Sequence, residues 1–271
     1  MTSRSVSARG MGAPEPAMPQ NFITTSWDDG HPLDFRIAEM LARHGLTGTF
    51  YIPRKIDTGV MSEAQVRDLS SHFEVGAHTL NHVFLADTNS ATAQAEIAGS
   101  KKWVEDVTGK TCRMFCPPAG RFNSLHEPMF RSAGYVGIRT VEFISLDPPR
   151  AHDGLMEMPT TIQAHPQPAW NYVKNLIKRV AVSNAWRYIV VGRGLTNGGD
   201  WPDLARRLLD QALLHGGVFH LWGHSWEIEQ AGQWEPLERV LAMLGQAVRE
   251  RSTPCLTNGD LCLRGRQSQQ A

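Results

Sequence analysis

Short apolar runs rich in β-branched and aromatic residues alternate along this chain with segments in which apolar residues recur every three or four positions. The first kind of segment is typical of strands and the second of amphipathic helices. Repeated strand and helix units favour a parallel sheet with right-handed crossovers. About seven strands are predicted, a number that favours a closed or nearly closed α/β barrel over an open sheet. The predicted strands cover residues 21–27, 47–52, 73–77, 113–116, 155–158 and 218–222, with a further strand after residue 134. The predicted helices cover residues 33–44, 62–69, 91–107, 124–133, 170–180, 204–214 and 237–248.

The 271 residues contain neither an internal repeat nor a long linker, so we expect one α/β domain. This domain is predicted to span residues 21–262, between an N-terminal tail (1–20) and a polar C-terminal tail (263–271). The 27 basic and 27 acidic side chains cancel, which argues against nucleic acid or an anionic membrane as the main partner. No run approaches the ~18 apolar residues of a membrane span. The first twenty residues also lack a secretory apolar region, so we expect a cytoplasmic protein.

Four cysteines form two loose pairs, Cys112 with Cys116 and Cys255 with Cys262. A chain of this size does not need disulfides, so reduced and partly buried thiols are expected. A disulfide and a structural four-thiolate zinc site are the alternatives, although zinc sites of that kind usually have CxxC spacing.

Two adjacent carboxylates, Asp28 and Asp29, end the first predicted strand in the segment SWDDG. Asp and Gly are common turn residues, so a capped surface turn is one interpretation. The pair nevertheless follows directly on an apolar strand, where adjacent side chains point in different directions. The two acids could therefore serve different chemical roles at one strand end.

Two histidines, His78 and His82, follow the third predicted strand in the segment HTLNH. Single histidines are usually solvated or hydrogen-bonded bystanders. A spacing of four, however, places both imidazoles on one face of a helical turn, about 5–6 Å apart at Cβ, close enough to share a cation. One carboxylate from SWDDG would complete a set of two histidines and an acid, which leaves coordination positions open for water and substrate. The two segments together indicate a metal site at one barrel mouth.

A proline-rich turn, CPPAGRFN, follows the fourth predicted strand. Its Gly120 permits a close backbone approach, and Arg121 could reach into the barrel mouth. A stiff loop that only shapes the rim is the alternative interpretation.

The last predicted strand ends in the segment FHLWGHSWE. His220 lies within the strand and is expected to be a hydrogen-bonded core residue. His224 lies at the tip and is the better acid or base, because imidazole titrates near neutral pH. Trp222 and Trp226 are interpreted either as rim packing or as indoles on which sugar rings stack.

The order of SWDDG, HTLNH, CPPAG and the late-strand histidine resembles the NodB-homology polysaccharide deacetylases, carbohydrate esterase family 4, over residues 22–262. The resemblance implies a distorted (β/α)7 barrel and a hydrolase that removes an N-acetyl group from an amino sugar and releases acetate. The expected substrate is an N-acetylated saccharide or a sugar nucleotide. The expected cofactor is a divalent metal, usually zinc, with Co²⁺, Mn²⁺ or Ni²⁺ as alternatives. The resemblance assigns the catalytic base to Asp28, the general acid to His224 and the metal ligands to Asp29, His78 and His82. The expected substrate contacts are Arg121, Trp222, Trp226, Pro118 and Gly120.

The chain departs from the family pattern at two places. The family's third motif usually carries an arginine that tethers the catalytic acid, and Cys116 occupies that position here, with Arg121 as the candidate replacement. The segment WGHSWE is about one residue out of register with the family's usual leucine-x-histidine motif, so His220 is the alternative general acid. The family's fourth motif, an acid with tryptophan, is not clearly present. These departures resemble a branch associated with O-antigen and other surface polysaccharides.

Two other functions fit the same residues. Related proteins of the superfamily open cyclic ureides or imides, some of them without metal. The altered third and fourth motifs are also compatible with a carbohydrate-binding relic that keeps the barrel and has lost catalysis.

Overall fold

The computed structural model describes residues 21–167 and 200–268 of the chain. The strands in this part form one sheet, in which the pairing of the sixth strand is antiparallel and the other pairings are parallel. The strands are β1 (Asn21–Asp28), β2 (Thr49–Ile52), β3 (Glu74–Ala77), β4 (Met114–Phe115), β5 (Gly137–Arg139), β6 (Arg150–His152), β7 (Leu155–Met158), β8 (Ile162–Gln163) and β9 (Gly217–Gly223).

The strand order across the sheet is β6-β7-β5-β4-β3-β2-β1-β9-β8. The sheet curls into a barrel-like shape, which confirms the predicted α/β class with mostly parallel strands. The described residues add two short strands, β6 and β8, to the predicted ones. Both lie in a proline-interrupted stretch, where a strand forms only because a neighbour supplies its hydrogen bonds; Ile162 of β8, for example, lies opposite Leu221 of β9.

The helices pack around the sheet between its strands. They are α1 (Asp34–Arg43), α2 (Glu63–Ser70), α3 (Ser90–Thr108), α4 (Glu127–Ser132), α5 (Trp201–His215), α6 (Ser225–Gln230), α7 (Trp234–Arg251) and α8 (Asn258–Ser268). Six of them correspond to predicted helices, whereas α6 and α8 were not predicted. The helix predicted at residues 170–180 lies outside the described residues. Residues 263–268 continue α8, so this part of the expected polar tail is helical.

Local sequence explains where the helices begin, end and pack. Ser62 caps α2 through a capping box with Gln65, each residue bonding the other's backbone. Gly109 ends α3 in the left-handed conformation, with φ of 67°, which costs glycine little. In α1 the buried positions Ile37, Met40 and Leu41 form one face, and this face packs into the main apolar core.

Strand β1 lies inside the sheet and positions the candidate site. Its register pairs Asp28 with Tyr51 on one side and Trp27 with Gly223 on the other. Because the strands are parallel, the carboxyl ends of β1, β3, β4 and β9 open onto the same face of the barrel. The sheet topology therefore gathers the polar segments predicted at those ends.

The opposite, amino-terminal end of the barrel is covered by α8. Asn258 is fully buried; it accepts a hydrogen bond from the Tyr51 hydroxyl at 2.8 Å and donates one to Thr24 Oγ1 at 2.8 Å. The carboxylate of Glu74 accepts the N–H of Gly259 at 2.9 Å, which satisfies a donor at the start of α8. This polar network docks the helix against β1, β2 and β3.

The four cysteines are free thiols, as expected for reduced residues. No helix within residues 21–167 and 200–268 has both the length and the apolar character needed to cross a bilayer.

Candidate metal centre and active site

Three side chains converge at the ends of β1 and β3. Oδ1 of Asp29 lies 3.1 Å from Nε2 of His82 and 3.5 Å from Nε2 of His78, and the imidazole centroids are 5.0 Å apart. The ligand atoms of all three residues lie within 4.8 Å of one another. The predicted set of two histidines and one acid is therefore brought together, with Asp29 as the acid.

The chemistry of these atoms fits a cation. Nδ1 of His78 is 2.6 Å from the carbonyl oxygen of Cys116, which can only accept, so Nδ1 carries the proton and Nε2 presents a lone pair. Oδ1 of Asp29 is buried and accepts no hydrogen bond from the described residues, although imidazole nitrogens face it. Burial raises the pKa of Asp29, but the adjoining His78 and His82 outweigh it and hold that pKa well below its usual range. An ionised carboxylate facing imidazole nitrogens is a donor set that suits zinc.

The segment that carries the two histidines is an irregular loop, so the expected helical turn is wrong. Thr79 and His82 have left-handed backbones, with φ of 60° and 54°. The buried carboxylate of Glu96 in α3 holds this shape by accepting the N–H groups of Leu80 and Asn81 at 2.8 and 2.9 Å. These bonds replace the helical ones and turn His82 back towards Asp29, which itself has φ of 77°.

Asp28 lies beside this centre and is paired with an arginine from another strand. Nη2 of Arg139, in β5, donates to Oδ2 of Asp28, and both side chains are buried. Burial raises the pKa of Asp28, but the Arg139 charge and nearby histidines outweigh it and hold the pKa below its usual value. Oδ1 of Asp28 accepts no hydrogen bond from the described residues. The carboxylate is therefore ionised with one oxygen free for a proton.

Arg139, rather than Arg121, supplies the cation beside Asp28, so the expected replacement is wrong. Arg121 is half-exposed and forms an ion pair with Asp87 at 2.8 Å. Cys116, at the family's arginine position, has its sulfur 3.9 Å from Oδ2 of Asp28. The strand order explains why Arg139 can take this role. Strand β5 pairs with β4, so Arg139 reaches the position beside Asp28 that an arginine at 116 would otherwise occupy.

His224 faces the two aspartates from the end of β9. Its Nε2 lies 3.9 Å from Oδ2 of Asp28 and 4.0 Å from Oδ2 of Asp29. Its Nδ1 donates to Oε2 of Glu227 at 2.7 Å, and that oxygen also accepts from Gln163 Nε2 at 2.8 Å. Burial lowers the pKa of His224, but the bond to Glu227 and the nearby aspartates outweigh it and raise the pKa above its usual value. Glu227 thus orients the ring and favours its protonated form.

His220 is a hydrogen-bonded core residue, as expected from its position within the strand. Its Nδ1 donates to the carbonyl oxygen of Pro159 at 2.8 Å, and Nε2 accepts from the Ser26 hydroxyl at 2.9 Å. Burial, followed by the charge of Arg139, lowers the pKa of His220 to about 3. The ring is neutral and both nitrogens are occupied, whereas Nε2 of His224 faces the two aspartates.

Comparisons with known proteins point to one family. The family model described as Polysaccharide deacetylase matches residues 15–138, a stretch that holds SWDDG, HTLNH and CPPAG. Residues 15–138 thus carry the sequence pattern of a polysaccharide deacetylase domain of the NodB-homology type. Arg139 and His224 lie beyond the matched residues.

Individual relatives of the deacetylase domain are distant in sequence. A peptidoglycan-N-acetylglucosamine deacetylase of Bacillus cereus is 26% identical over 125 residues, covering 45% of this chain and 56% of that protein. The chain spans about half the length of the curated relatives it matches. A solved structure of a putative polysaccharide deacetylase from Mycobacterium smegmatis has a TM-score of 0.67 and 14% identity, covering 97% of this chain and 96% of that one. A family 4 pseudoenzyme from Bacillus anthracis has a TM-score of 0.52 and 15% identity, covering 92% of this chain and 66% of that one. These structural likenesses show the fold.

The residues predicted to contact substrate in this deacetylase domain lie at different places around the mouth. The indole N–H of Trp226 donates to Oδ2 of Asp29 at 2.9 Å, so this tryptophan orients the Asp29 carboxylate. Trp222 stacks against the Arg139 guanidinium, 4.8 Å from ring centroid to carbon. Pro118 is buried, and Gly120 adopts φ of 65° close against Val141. Substrate contacts by these residues and by Arg121 stay predictions.

Sequence reasoning missed Arg139, Glu227 and Glu96. Glu227 had a local signal, because it lies three residues after His224, a spacing that brings side chains together on a helix. Arg139 and Glu96 had none, since each reaches the site from an element distant in sequence.

Proposed function

We propose that this protein is a metal-dependent hydrolase that removes the N-acetyl group from an amino sugar and releases acetate. The observation that carries the proposal is the convergence of Asp29, His78 and His82 beside the ion-paired Asp28, in a domain of the polysaccharide deacetylase family. The substrate is an N-acetylated saccharide or a sugar nucleotide.

Asp29, His78 and His82 would hold the divalent cation, with zinc as the metal proposed. A cation bound there would polarise the acetyl carbonyl and lower the pKa of a bound water from 15.7 to about 7. Trp226 keeps Asp29 in position through its indole N–H, and the Cys116 carbonyl fixes the ring of His78.

Asp28 is proposed as the general base. Its Oδ1 accepts no hydrogen bond from the described residues, so this oxygen is available to take a proton from water. The neighbouring Arg139 keeps the carboxylate ionised and fixes its orientation through Oδ2. A carboxylate is a sufficient base once a bound cation has lowered the pKa of the water.

His224 is proposed as the general acid. Glu227 holds Nδ1 and leaves Nε2 facing the centre, where it would donate a proton to the departing amine. The raised pKa of His224 keeps this proton available near neutral pH. Trp222, Arg121, Pro118 and Gly120 are proposed to form the rim that receives the sugar.

Acetate release tests the proposal. A panel of N-acetylated sugars and sugar nucleotides is incubated with the full chain, with and without chelator and added Zn²⁺. We expect His78→Ala to lose both bound metal and activity, and Asp28→Asn to keep metal and lose turnover. His72→Ala, at an exposed position in the α2–β3 loop, is the matched control and should retain both. Full activity in both site variants would overturn the assignment.

Other outcomes of the same assays would favour the remaining functions. Ring opening of a cyclic ureide without acetate release from any sugar would indicate the related amide hydrolases. Sugar binding with bound metal and no hydrolysis would indicate a non-catalytic relic. The cytoplasmic location expected from the sequence is part of the proposal and is tested by cell fractionation.

A further inference from the structure

Cys116 belongs to a second group of converging ligand atoms. The sulfur of Cys116, a carboxylate oxygen of Asp28 and a ring nitrogen of His78 lie within 4.8 Å of one another. All three residues are buried, with exposed fractions of 1%, 3% and 2%. The group therefore offers sulfur, oxygen and nitrogen around one point, beside the Asp29, His78 and His82 centre.

The atoms in this group have few competing partners. Oδ1 of Asp28 is buried and accepts no hydrogen bond from the described residues. Among the described residues, the thiol makes only long contacts, 3.9 Å to Oδ2 of Asp28 and 3.7 Å to the carbonyl oxygen of Pro117. Asp28 thus offers a buried carboxylate with one oxygen unpartnered among the described residues, and its other oxygen lies 3.9 Å from a weakly bonded sulfur.

The two groups share His78, whose Nδ1 is committed to the Cys116 carbonyl, so only Nε2 is free for an ion. One ion can take that nitrogen at a time, and the two positions are alternatives. The Arg139 charge beside Asp28 opposes a cation at the second position. Only an ion whose affinity is dominated by its bond to sulfur would overcome that repulsion, because thiolate selects soft metals.

We propose that Asp28, His78 and Cys116 form a binding site for soft, thiophilic divalent cations. On binding, the Cys116 thiol releases its proton to solvent and the thiolate sulfur bonds the ion. The carboxylate of Asp28 becomes a ligand at the same time. If the proposed function holds, such an ion removes the base from the reaction and inhibits the enzyme.

Cadmium titration of the full chain tests the site without any activity assay. A Cd²⁺–thiolate bond gives an ultraviolet charge-transfer absorption, whereas Cd²⁺ on Asp29, His78 and His82 alone gives none. We expect the band to appear in the wild type and to be lost in Cys116→Ser and Cys116→Ala. Cys112→Ser changes another buried thiol, just before β4, and is the matched control that should keep the band. His82→Ala should also keep it, because this variant damages only the Asp29, His78 and His82 centre. A full band in both Cys116 variants, or no band in the wild type, would overturn the site.

Inhibition is measured separately, each variant being compared with its own activity in saturating Zn²⁺. Loss of a ligand should weaken Cd²⁺ inhibition of Cys116→Ser at least about tenfold, since even outer-shell partners of a metal contribute that much. Equal inhibition of both proteins would overturn the proposed binding of one ion by Cys116 and Asp28 together. A thiolate band without hydrolysis of any substrate would instead refute the proposed function and leave the cation site intact.

Discussion

Arg139 and Asp28 form an ion pair inside the barrel, with side chains 0% and 5% exposed. Removal of one partner from a buried pair costs about 3–5 kcal/mol, because the other charge stays buried without compensation. Arg139→Ala should therefore destabilise the protein by about that amount in denaturant unfolding. Burial would then raise the pKa of Asp28 against the nearby histidines alone, so the proposed base would be protonated more readily and kcat should fall by about 100-fold or more.

Arg121→Ala is the control for this prediction, since its guanidinium pairs with the half-exposed Asp87. A surface pair of this kind contributes about 0–1 kcal/mol, so stability should hardly change. Equal loss of stability in the two variants would contradict the special role of Arg139.

The lowered pKa of His220 predicts that the stability of the protein depends on pH. Its pKa is about 3 in the folded protein against 6.5 ordinarily, so between these values the unfolded chain binds a proton that the folded chain does not. The contribution of neutral His220 to the free energy of unfolding is therefore complete above pH 6.5. It is lost as the pH falls towards 3, by up to about 1.4 kcal/mol per pH unit. We expect His220→Gln to lose less stability than the wild type between neutral pH and pH 4.5, measured by urea unfolding. His72→Gln, at an exposed position, should follow the wild type, and parallel curves for wild type and His220→Gln would refute the prediction.

At the scale of the elements, α8 depends on side chains of the strands that it covers. Asn258→Ala would leave the Tyr51 hydroxyl and Thr24 Oγ1 without their buried partner, at a cost of about 2–4 kcal/mol in unfolding free energy. Asn89→Ala removes only the exposed N-cap bond to Thr92 of α3 and should cost about 1 kcal/mol. Thermal or denaturant unfolding of the two asparagine variants compares them directly. A cost for Asn258→Ala no greater than that of the cap would mean that α8 is not held by this network.

The strands and their polar ends could be predicted because each signal is contained within a few neighbouring residues. SWDDG and HTLNH follow apolar runs directly, and parallel strands must then bring Asp29, His78 and His82 to one face. Strand β8 and helix α8 could not be predicted in this way. Ile162–Gln163 is a strand only beside β9, and Asn258–Ser268 is polar in sequence, with a docking network supplied by three distant strands.

The same distinction applies to single residues of the site. His224 stands at a strand tip next to glycine, whereas Arg139 looks like an ordinary charged residue at the end of a short strand. Its importance depends on which strands are neighbours and on the absence of an arginine at 116. The loop bonds of Glu96 likewise depend on how α3 packs against β3, which local sequence does not encode.

For the whole molecule, the proposed metal centre joins residues that are about 50 positions apart in sequence, Asp29 from β1 and two histidines from the loop after β3. Such a site exists only in the folded protein, so an ion that binds it should stabilise the fold by mass action. At Zn²⁺ 100-fold above its Kd the gain is about 2.7 kcal/mol, or a rise in Tm of about 5–10 °C. We expect this rise in the wild type and its reversal by chelator, measured by thermal unfolding. His82→Ala should show little of the rise, while His72→Ala should show all of it. A rise of the same size in His82→Ala would mean that zinc binds elsewhere, whatever the protein hydrolyses.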